Sequence, residues 1–484
     1  MSKVSIRDAA IISFVGKYSA AFIRIAYIAV LARILSPNDF GVVAVVTVFT
    51  TFFMLLANMG IGPAVIHNRQ LDKSDISSIF TLTIYVGFAM GIIFALFSIP
   101  LSVFYGDRVY ISIGIMLSMS LFFSTIDIVP RALLLKEHKF LLVNIRLVIV
   151  SFISAIAAVA FALLGWRYYA IVGHSILMAA ATFFWNYVTT RPRFSGRIEK
   201  SSVSKIIHFS SFQFAFGIVN YFSRNLDKLL IGKYIGPAAL GFYDKSYSLM
   251  LYPLQGITHV ISPVLLPILS VHQDNRRYIF NQYMKVVKVL SLLGIFFSAY
   301  SYFAAEEIIL ILFGGQWIQA IPVFKVLSLS VWAQMVSSSS GAIFQVLGKT
   351  RLLFFAGICS SVVIISGIIV GIMHQSIYTV AVGVTFSYVI TFFISYYLLV
   401  NKGFNYSVVE FYKKLLPDLL VCIIMFLSMH FIARVELDEL WLSAIYKLIT
   451  GGAVYLTILL VTGQYRHFML LWKRKSKPVV SQED

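Results

Sequence analysis

Long apolar runs, each of about 20 residues or more and separated by short polar turns, follow one another along this chain. Hydrophobic residues make up 59% of the sequence and charged residues only 12%, unlike the composition of soluble globular proteins. Within hydrocarbon, only helices and closed barrels satisfy every backbone hydrogen-bonding group. The runs are continuous and do not alternate over about ten residues, which favours helices over a barrel. The sequence therefore predicts an all-α polytopic membrane protein.

The length of the chain accommodates about 14 transmembrane helices joined by short loops. The first apolar run is longer than a signal-peptide core and lacks a small-residue cleavage site, so we expect a retained first helix. The predicted helices cover 9–33, 40–66, 78–104, 109–134, 141–164, 168–189, 205–231, 238–268, 285–312, 322–347, 352–373, 377–400, 414–434 and 441–463.

Lysine and arginine are distributed unevenly between the two sides of this predicted bundle. The N terminus, every second loop and the C-terminal tail carry most of them, whereas the other side carries few: Arg33, Arg108, Arg167, Lys228, Lys233 and Arg434. The positive-inside rule then places both termini in the cytoplasm. The formal charge of +19 is explained by this topology and by attraction to anionic headgroups, so we expect no nucleic-acid partner.

The first twelve predicted helices indicate an internal duplication of a six-helix unit. A shift of 200 positions pairs Arg24 with Arg224, Pro37 with Pro237, Gly41 with Gly241 and Pro63 with Pro263; farther on, a shift of 210 pairs Lys139 with Lys349. Because six is even, both copies begin on the cytoplasmic side. Such a parallel repeat places the substrate site at the interface of two pseudo-symmetric lobes.

The predicted organisation has an N-terminal lobe at 1–190, a polar and basic linker at 191–204 and a C-terminal lobe at 205–402. An extra helix pair at 403–463 lies outside the duplication, and we expect it to be peripheral. A cytoplasmic tail covers 464–484, and we expect disorder in its last ten residues.

A polar stripe interrupts the apolar seventh predicted helix. Gln213, Asn220, Arg224 and Asp227 recur at intervals that place them on one helical face. A guanidinium at mid-bilayer depth costs on the order of 3 kcal/mol, so it faces a partner or a water-filled cavity. We interpret the stripe as the lining of a transport cavity. Alternatively, Arg224 and Asp227 neutralise each other against a neighbouring helix.

The first predicted helix carries a matching polar face with Lys17 and Arg24. Arg24 would face its repeat mate Arg224 across a central cavity, and planar guanidinium groups suit bidentate binding of phosphate. An alternative for Lys17 is that its side chain reaches the cytoplasmic interface. The predicted substrate-binding residues are Arg24, Arg224, Lys17, Gln213, Asn220 and Lys245.

Acidic residues in or near the predicted helices could bind a coupling proton or cation, or form a gate. Asp127 and Arg131, four residues apart, first indicate an intrahelical ion pair, with a gate as the alternative. Glu306 and Glu307 are expected at a solvated helix end, with binding of a coupling ion as the alternative for Glu306. The candidates for ion coupling or gating are Asp227, Asp127, Arg131 and Asp244, and the sequence does not choose among them.

We find no arrangement typical of an enzyme: no long loop with paired carboxylates, no phosphate-binding glycine loop and no metal-spaced cluster. Cys359 and Cys422 fall inside predicted helices and form neither a disulfide framework nor a zinc site. The lone His259 and His374 do not indicate a metal. We therefore expect no catalytic residue, cofactor or metal. Arg146 could extend to the interface or reach the cavity.

The stretch 31–49, LARILSPNDFGVVAVVTVF, carries the pattern A-R-x-L-x-P-x-D/E-F-G and is followed by MGIGPAVIH at 59–67. With these motifs the chain resembles the polysaccharide transporter family of the multidrug/oligosaccharidyl-lipid/polysaccharide exporter superfamily. The likeness is to the Wzx-type branch, in particular the colanic-acid and O-antigen exporters. It implies two six-helix lobes that form a V and open alternately to each side of the membrane.

This resemblance implies a flippase that moves undecaprenyl-diphosphate-linked oligosaccharide units from the cytoplasmic to the periplasmic leaflet of the bacterial inner membrane, for surface polysaccharide assembly. It also implies basic cavity residues, a role that Lys17, Arg24 and Arg224 fit by residue type. Candidate partners are a polysaccharide polymerase, a chain-length regulator and a coupling proton or sodium ion. The alternatives are a cation-coupled multidrug exporter of the same fold, for which a carboxylate-rich cavity is expected, and a membrane-embedded glycan polymerase or ligase, which needs a larger periplasmic loop.

Overall fold

The computed structural model describes residues 6–68, 70–207, 211–435 and 437–472, and it excludes the side chains of 6–11, 205–207, 211–217, 219, 259–264 and 470–472. All regular structure within these described ranges is helical. The helices are α1 Ile6–Ile34, α2 Pro37–Asn58, α3 Ile61–His67, α4 Lys73–Tyr105, α5 Val109–Ile126, α6 Ile128–Lys136, α7 Phe140–Leu163, α8 Tyr168–Thr190, α9 Lys200–Ile207, α10 Ser211–Tyr234, α11 Pro237–Ser270, α12 Arg276–Phe303, α13 Ala305–Phe313, α14 Ala320–Ser328, α15 Val331–Ser337, α16 Ser340–Val346, α17 Thr350–Met373, α18 Ile377–Tyr397, α19 Val408–Ile432, α20 Leu440–Val461 and α21 Tyr465–Trp472, with a 3₁₀ turn at Gly315–Trp317 and a π-helical turn at Leu398–Phe404.

Eleven helical segments in the described part of the chain are long and apolar enough to cross a membrane. The number becomes twelve if Ala320–Ser328 and Val331–Val346, bent by 46° at their junction, form one span. The remaining long helices, α10 and α11, would bring it to fourteen. The prediction of an all-α membrane protein is thereby confirmed, and the predicted number of helices is consistent with the structure.

Several predicted helices are broken where the backbone chemistry favours a break. The second predicted helix divides into α2 and α3 because Met59 and Gly60 both adopt a positive φ, of 37° and 78°. The fourth divides at Asp127, just before a proline at position 130 that cannot donate a backbone hydrogen bond. The ninth begins earlier than predicted and is divided at Ala304 into α12 and α13.

The described residues form two compact units, one within Met1–Asp244 and Leu312–Gln316 and the other within Lys245–Ile311 and Trp317–Asp484. Helix α10 packs against α2 and belongs to the first unit. These units therefore divide the chain at a different place from the lobes inferred from the duplication. The lobe boundaries stay a prediction.

In the first unit, α4 packs along α5, and α7 packs against both α1 and α8. The polar linker at 191–204 is attached to the start of α4 by hydrogen bonds. The backbone N–H groups of Ser195 and Glu199 donate to Thr81 Oγ1 (3.0 Å) and to Ser78 Oγ (2.8 Å). Ser202 then donates to a carboxylate oxygen of Asp75. Composition predicted only a polar linker, whereas the structure places it against the helix.

The A-R-x-L-x-P-x-D-F-G motif forms a close junction between the starts of α2 and α11. Asp39 and Ser36 form a reciprocal capping box at the N terminus of α2, and Asp39 also pairs with Arg167 at 3.1 Å. A Cβ atom at Gly41 would overlap the carbonyl oxygen of Pro237. Gly241 in the second copy lies in the same way against Pro37, so both positions require glycine for this close approach.

In the second unit, the extra helix pair α19 and α20 packs on the helices of the duplicated part. Lys288 on α12 pairs with Asp418 on α19, and Glu307 on α13 pairs with Lys447 on α20. Glu307 also accepts a hydrogen bond from Ser443 at 2.7 Å. The expectation that Glu307 lies at a solvated helix end is therefore wrong. The peripheral position expected for the extra helix pair stays a prediction. Helix α21 packs on an apolar cluster that side chains of α12, α19 and α20 form together. The last ten residues, for which disorder was expected, lie outside the described residues.

Candidate functional site

A cavity of about 310 Å³ lies between α1, α7 and α8 in the first unit. We call it the α1 cavity. One face of α1 forms much of its wall, and α7 and α8 contribute the rest. Its lining residues are Lys17, Ala20, Ala21, Arg24 and Tyr27 from α1, Leu147 and Ser151 from α7, and His174 and Met178 from α8.

The sequence of α1 explains why a cavity forms there. Lys17 and Arg24 are seven residues apart, two helical turns, so both side chains lie along one face. Between them Ala20 and Ala21 have short side chains that leave space unfilled. Farther along the same face, the rings of Tyr27 and His174 stack with centroids 4.4 Å apart. This stacking fixes the aromatic end of the cavity while the two cations stay exposed.

The lining of the α1 cavity suits a polar anionic group. It contains an ammonium, a guanidinium and the hydroxyl of Ser151, and among the described residues no carboxylate lines it. Its volume equals the share of roughly ten liquid water molecules, which leaves room for a phosphate group together with solvent. A guanidinium can hold two phosphate oxygens at once, and an ammonium adds a point charge.

A buried polar chain crosses the same unit next to the α1 cavity. Arg146, just before the cavity residue Leu147, donates to Asn186 Oδ1 on α8, and Asn186 donates to Asp127 Oδ1 at 2.6 Å. Arg146 is 4% exposed and Asp127 is 6% exposed. Arg146 therefore neither reaches the interface nor lines the α1 cavity. The predicted pair of Asp127 with Arg131 is absent from the described residues, because Asp127 is turned toward Asn186 while Arg131 is exposed.

A second charged cluster joins the end of α10 to the start of α11. Asp227, 3% exposed, accepts from the Tyr243 hydroxyl at 2.8 Å and from the backbone N–H of Lys228 at 2.8 Å. Lys228 pairs with Asp244 at 2.7 Å. The alternative in which Arg224 neutralises Asp227 is wrong for the described residues: Arg224 is exposed, and Asp227 is held by Tyr243 and Lys228.

Lys228 is the functional candidate that sequence reasoning missed. From the sequence, Lys228 was counted among the cations of the loops. In the structure it lies within helix α10, one residue after Asp227. Its partner Asp244 follows only after the turn at Ile235 and Gly236, a contact that no periodicity within one helix indicates. The sequence did contain one indication of a buried charged site at this position: a lysine that directly follows an aspartate within a predicted helix.

The remaining predicted site residues are dispersed. Asn220 is half-buried on α10, and Lys245 is half-buried at the start of the second unit. Neither they nor Arg224 line the α1 cavity. Gln213 and His259 have side chains outside the described residues. That Arg24 faces Arg224 across a central cavity stays a prediction. In the described part of the chain, no group of three or more His, Cys, Asp or Glu side chains is placed to hold a metal ion.

Comparison with known proteins adds evidence from other chains. A family profile described as "Polysaccharide biosynthesis protein" matches residues 30–322. The chain is 23% identical over 93% of its length to the succinoglycan biosynthesis transport protein ExoT of Rhizobium meliloti (strain 1021), of which 91% is covered. It is 22% identical to the lipopolysaccharide biosynthesis protein WzxC of Escherichia coli (strain K12), over 77% of this chain and 76% of that protein.

A solved structure shows the same fold. The inward closed conformation of the lipid II flippase MurJ superposes with a TM-score of 0.73. The match covers 95% of this chain and 100% of that one, at 15% sequence identity. The chain therefore has the MurJ-like fold.

Proposed function

The chain belongs to the family of polysaccharide biosynthesis proteins, and on that premise we propose that it is a flippase for a lipid-linked oligosaccharide. The substrate class is an undecaprenyl-diphosphate-linked repeat unit for a surface polysaccharide. It moves from the cytoplasmic to the periplasmic leaflet of the bacterial inner membrane by alternating access. The observation that carries the proposal is the α1 cavity, which Lys17 and Arg24 both line and which no carboxylate of the described residues lines.

The physical problem for such a protein is the diphosphate and its sugars. Neither enters about 30 Å of hydrocarbon without a large loss of hydration free energy. Arg24 binds phosphate oxygens through its planar guanidinium, and Lys17 adds a second cation along the same helical face. The hydroxyl of Ser151 offers a hydrogen bond to a sugar or phosphate oxygen. Arg224 on the matching helix of the second copy is a further phosphate contact, and Asn220, Gln213 and Lys245 are candidates for the sugar.

The charged groups outside the α1 cavity are candidates for energy coupling and gating. Asp227 and Asp244 are both buried around Lys228, so a change in the protonation or ion binding of either carboxylate alters a local charge balance at low dielectric. Asp127 and Arg146, joined through Asn186, form the second candidate. A proton or a sodium ion is the coupling species for which these carboxylates are suited.

Topology and assembly follow from the same proposal. Both termini face the cytoplasm, because the basic residues concentrate on that side. Reporter fusions at the C terminus test this orientation: a cytoplasmic fluorescent reporter stays active there, whereas a periplasmic phosphatase does not. A polysaccharide polymerase and a chain-length regulator are the partners expected to act on the translocated unit.

The decisive experiment is translocation in proteoliposomes loaded with an undecaprenyl-diphosphate-linked oligosaccharide. The wild type is compared with Lys17→Gln, Arg24→Gln, the double variant and the control Arg108→Gln, which removes an exposed cation elsewhere in the first unit. We expect both single variants to slow translocation at least tenfold, with melting temperatures unchanged. Equal rates in wild type and double variant would remove the assignment. Uptake of cationic dyes without glycan translocation would support the multidrug exporter instead.

A further inference from the structure

A second cavity, of about 540 Å³, lies in the second unit where α16 ends and α17 begins. We call it the α17 pocket. It is formed by one continuous turn at 348–352 and by the π-helical segment that follows α18. Its lining residues are Gly348, Lys349, Thr350, Arg351, Leu352 and Lys402.

The α17 pocket concentrates uncompensated positive charge. Lys349, Arg351 and Lys402 all line it, and no carboxylate from the described part of the chain does. Among the described residues, none of these three side chains has an ion pair or hydrogen bond to another side chain. Three cations around one space repel one another, and an anion bound there would relieve that repulsion.

The backbone at the start of α17 adds donors to the pocket. The carbonyl of Lys349 accepts from Leu352 N at 3.0 Å and from Leu353 N at 3.1 Å. The amides of Thr350 and Arg351 come before these first helical bonds and are free to donate to a ligand. The helix that they begin is 24 residues long, so its N terminus also contributes a favourable dipole for an anion.

The first copy of the duplication provides an internal comparison with the same backbone. Lys139 precedes α7 as Lys349 precedes α17, and both helices are 24 residues long. The preceding residue has a positive φ in both, 56° at His138 and 67° at Gly348. Lys139 N donates to Leu134 O at 2.9 Å, and Lys349 N donates to Phe344 O at 2.8 Å. The two turns are therefore equivalent structures.

The side chains of the second turn are more polar and more positively charged than those of the first. In the first copy, Glu137 neutralises Lys139 at 2.6 Å, whereas Leu347 occupies the equivalent position in the second copy. The next two positions are apolar in the first copy and polar or basic in the second: Phe140 and Leu141 correspond to Thr350 and Arg351. The second copy lacks the acid and carries a hydroxyl and a guanidinium on an equivalent turn.

We propose that the α17 pocket binds a phosphate-bearing anion at the membrane surface. Arg351 holds two phosphate oxygens, Lys349 and Lys402 add charge, and the Thr350 hydroxyl and backbone amides donate hydrogen bonds. The loop carrying Lys349 lies on the predicted cytoplasmic side, where basic pockets meet anionic lipid headgroups. The ligand is the headgroup of an anionic phospholipid or a soluble diphosphate, and the residues of the pocket belong to the second unit, whereas those of the α1 cavity belong to the first.

Native mass spectrometry of the detergent-solubilised full-length protein tests the pocket, with phosphatidylglycerol, phosphatidylcholine and inorganic pyrophosphate as probes. Arg351→Gln/Lys402→Gln removes two of the three cations, and Leu347→Glu restores the acid of the first copy. Lys139→Gln is the matched control in the equivalent turn. We expect the wild type to retain phosphatidylglycerol over phosphatidylcholine and the double variant to bind it roughly twentyfold more weakly. Leu347→Glu should weaken binding in the same direction, and Lys139→Gln should leave it unchanged.

Pyrophosphate distinguishes the two sources of phosphate. If it displaces phosphatidylglycerol from the wild type but not from the double variant, the pocket takes soluble diphosphates as well as lipid. If phosphatidylglycerol alone shows the loss in the double variant, the ligand is a lipid headgroup. The proposal would be overturned if the wild type and the double variant bound phosphatidylglycerol equally and pyrophosphate equally, with equal melting temperatures.

Discussion

Lys288 and Asp418 form an ion pair in the interior of the second unit, with Nζ and Oδ1 2.6 Å apart and side chains only 8% and 2% exposed. The pair joins α12 to α19 and so connects the duplicated part of the chain to the extra helix pair. His467 on α21 lies near it, and burial lowers the pKa of this histidine, so its imidazole is neutral at pH 7. Lys288 is then the cation that neutralises Asp418.

Removing one member of this pair should be far more harmful than removing both. Asp418→Asn leaves a buried ammonium without a counter-ion, which costs about 3–5 kcal/mol. The double variant Lys288→Met/Asp418→Leu replaces the pair with apolar side chains and should recover most of the lost stability. Thermal unfolding of the purified protein in detergent measures both, with the exposed Asp438→Asn as control. A single variant as stable as the double variant would show that the pair does not hold the helices together.

The paired glycines at the starts of α2 and α11 give a second prediction. Gly41→Ala and Gly241→Ala each introduce a methyl group where a backbone carbonyl lies, so the two helix starts must separate. We expect a large fall in correctly folded protein for both variants, measured as the monodisperse fraction in size-exclusion chromatography.

Gly452→Ala is the control for these two variants. No neighbouring atom lies within 4 Å of its added Cβ, and within a helix alanine is favoured over glycine by roughly 1 kcal/mol. Normal yields for Gly41→Ala and Gly241→Ala would mean that the junction tolerates separation and that the glycines are not required for packing.

The cluster around Lys228 predicts how transport depends on ion gradients. Asp227→Asn removes the charge of a buried carboxylate that Tyr243 and the Lys228 backbone hold in place. We expect this variant to bind substrate normally but to translocate at the same slow rate with and without an imposed proton or sodium gradient. Tyr243→Phe removes only the hydrogen bond and should retain part of the gradient response. Full stimulation by a gradient in Asp227→Asn would exclude this carboxylate from coupling.

Hydropathy and spacing within one helix predicted much of the fold and one shared helical face. The apolar runs located the helices because each span must satisfy its own backbone in hydrocarbon. The spacing of Lys17 and Arg24 placed both on one face of α1, and the structure brings both to the α1 cavity. These are local relationships, which depend only on the period of a helix.

Partnerships between distant residues could not be predicted in the same way. Tyr243 lies 16 residues from Asp227, Asn186 lies 40 from Arg146, and Lys447 lies 140 from Glu307. Each pair depends on how separate helices pack against each other. The periodicity of residues along one helix does not indicate such contacts. Glu307 was expected in solvent for this reason, and Asp127 was assigned to Arg131, its neighbour one turn away.

The most direct test of the central claim is the affinity of the solubilised protein for undecaprenyl diphosphate compared with undecaprenol, which lacks phosphate. If Lys17 and Arg24 bind the diphosphate, the wild type prefers undecaprenyl diphosphate, and Lys17→Gln/Arg24→Gln loses that preference by roughly tenfold or more. Affinity for undecaprenol stays unchanged in the variant. A double variant that still prefers undecaprenyl diphosphate as strongly as the wild type does would contradict the account.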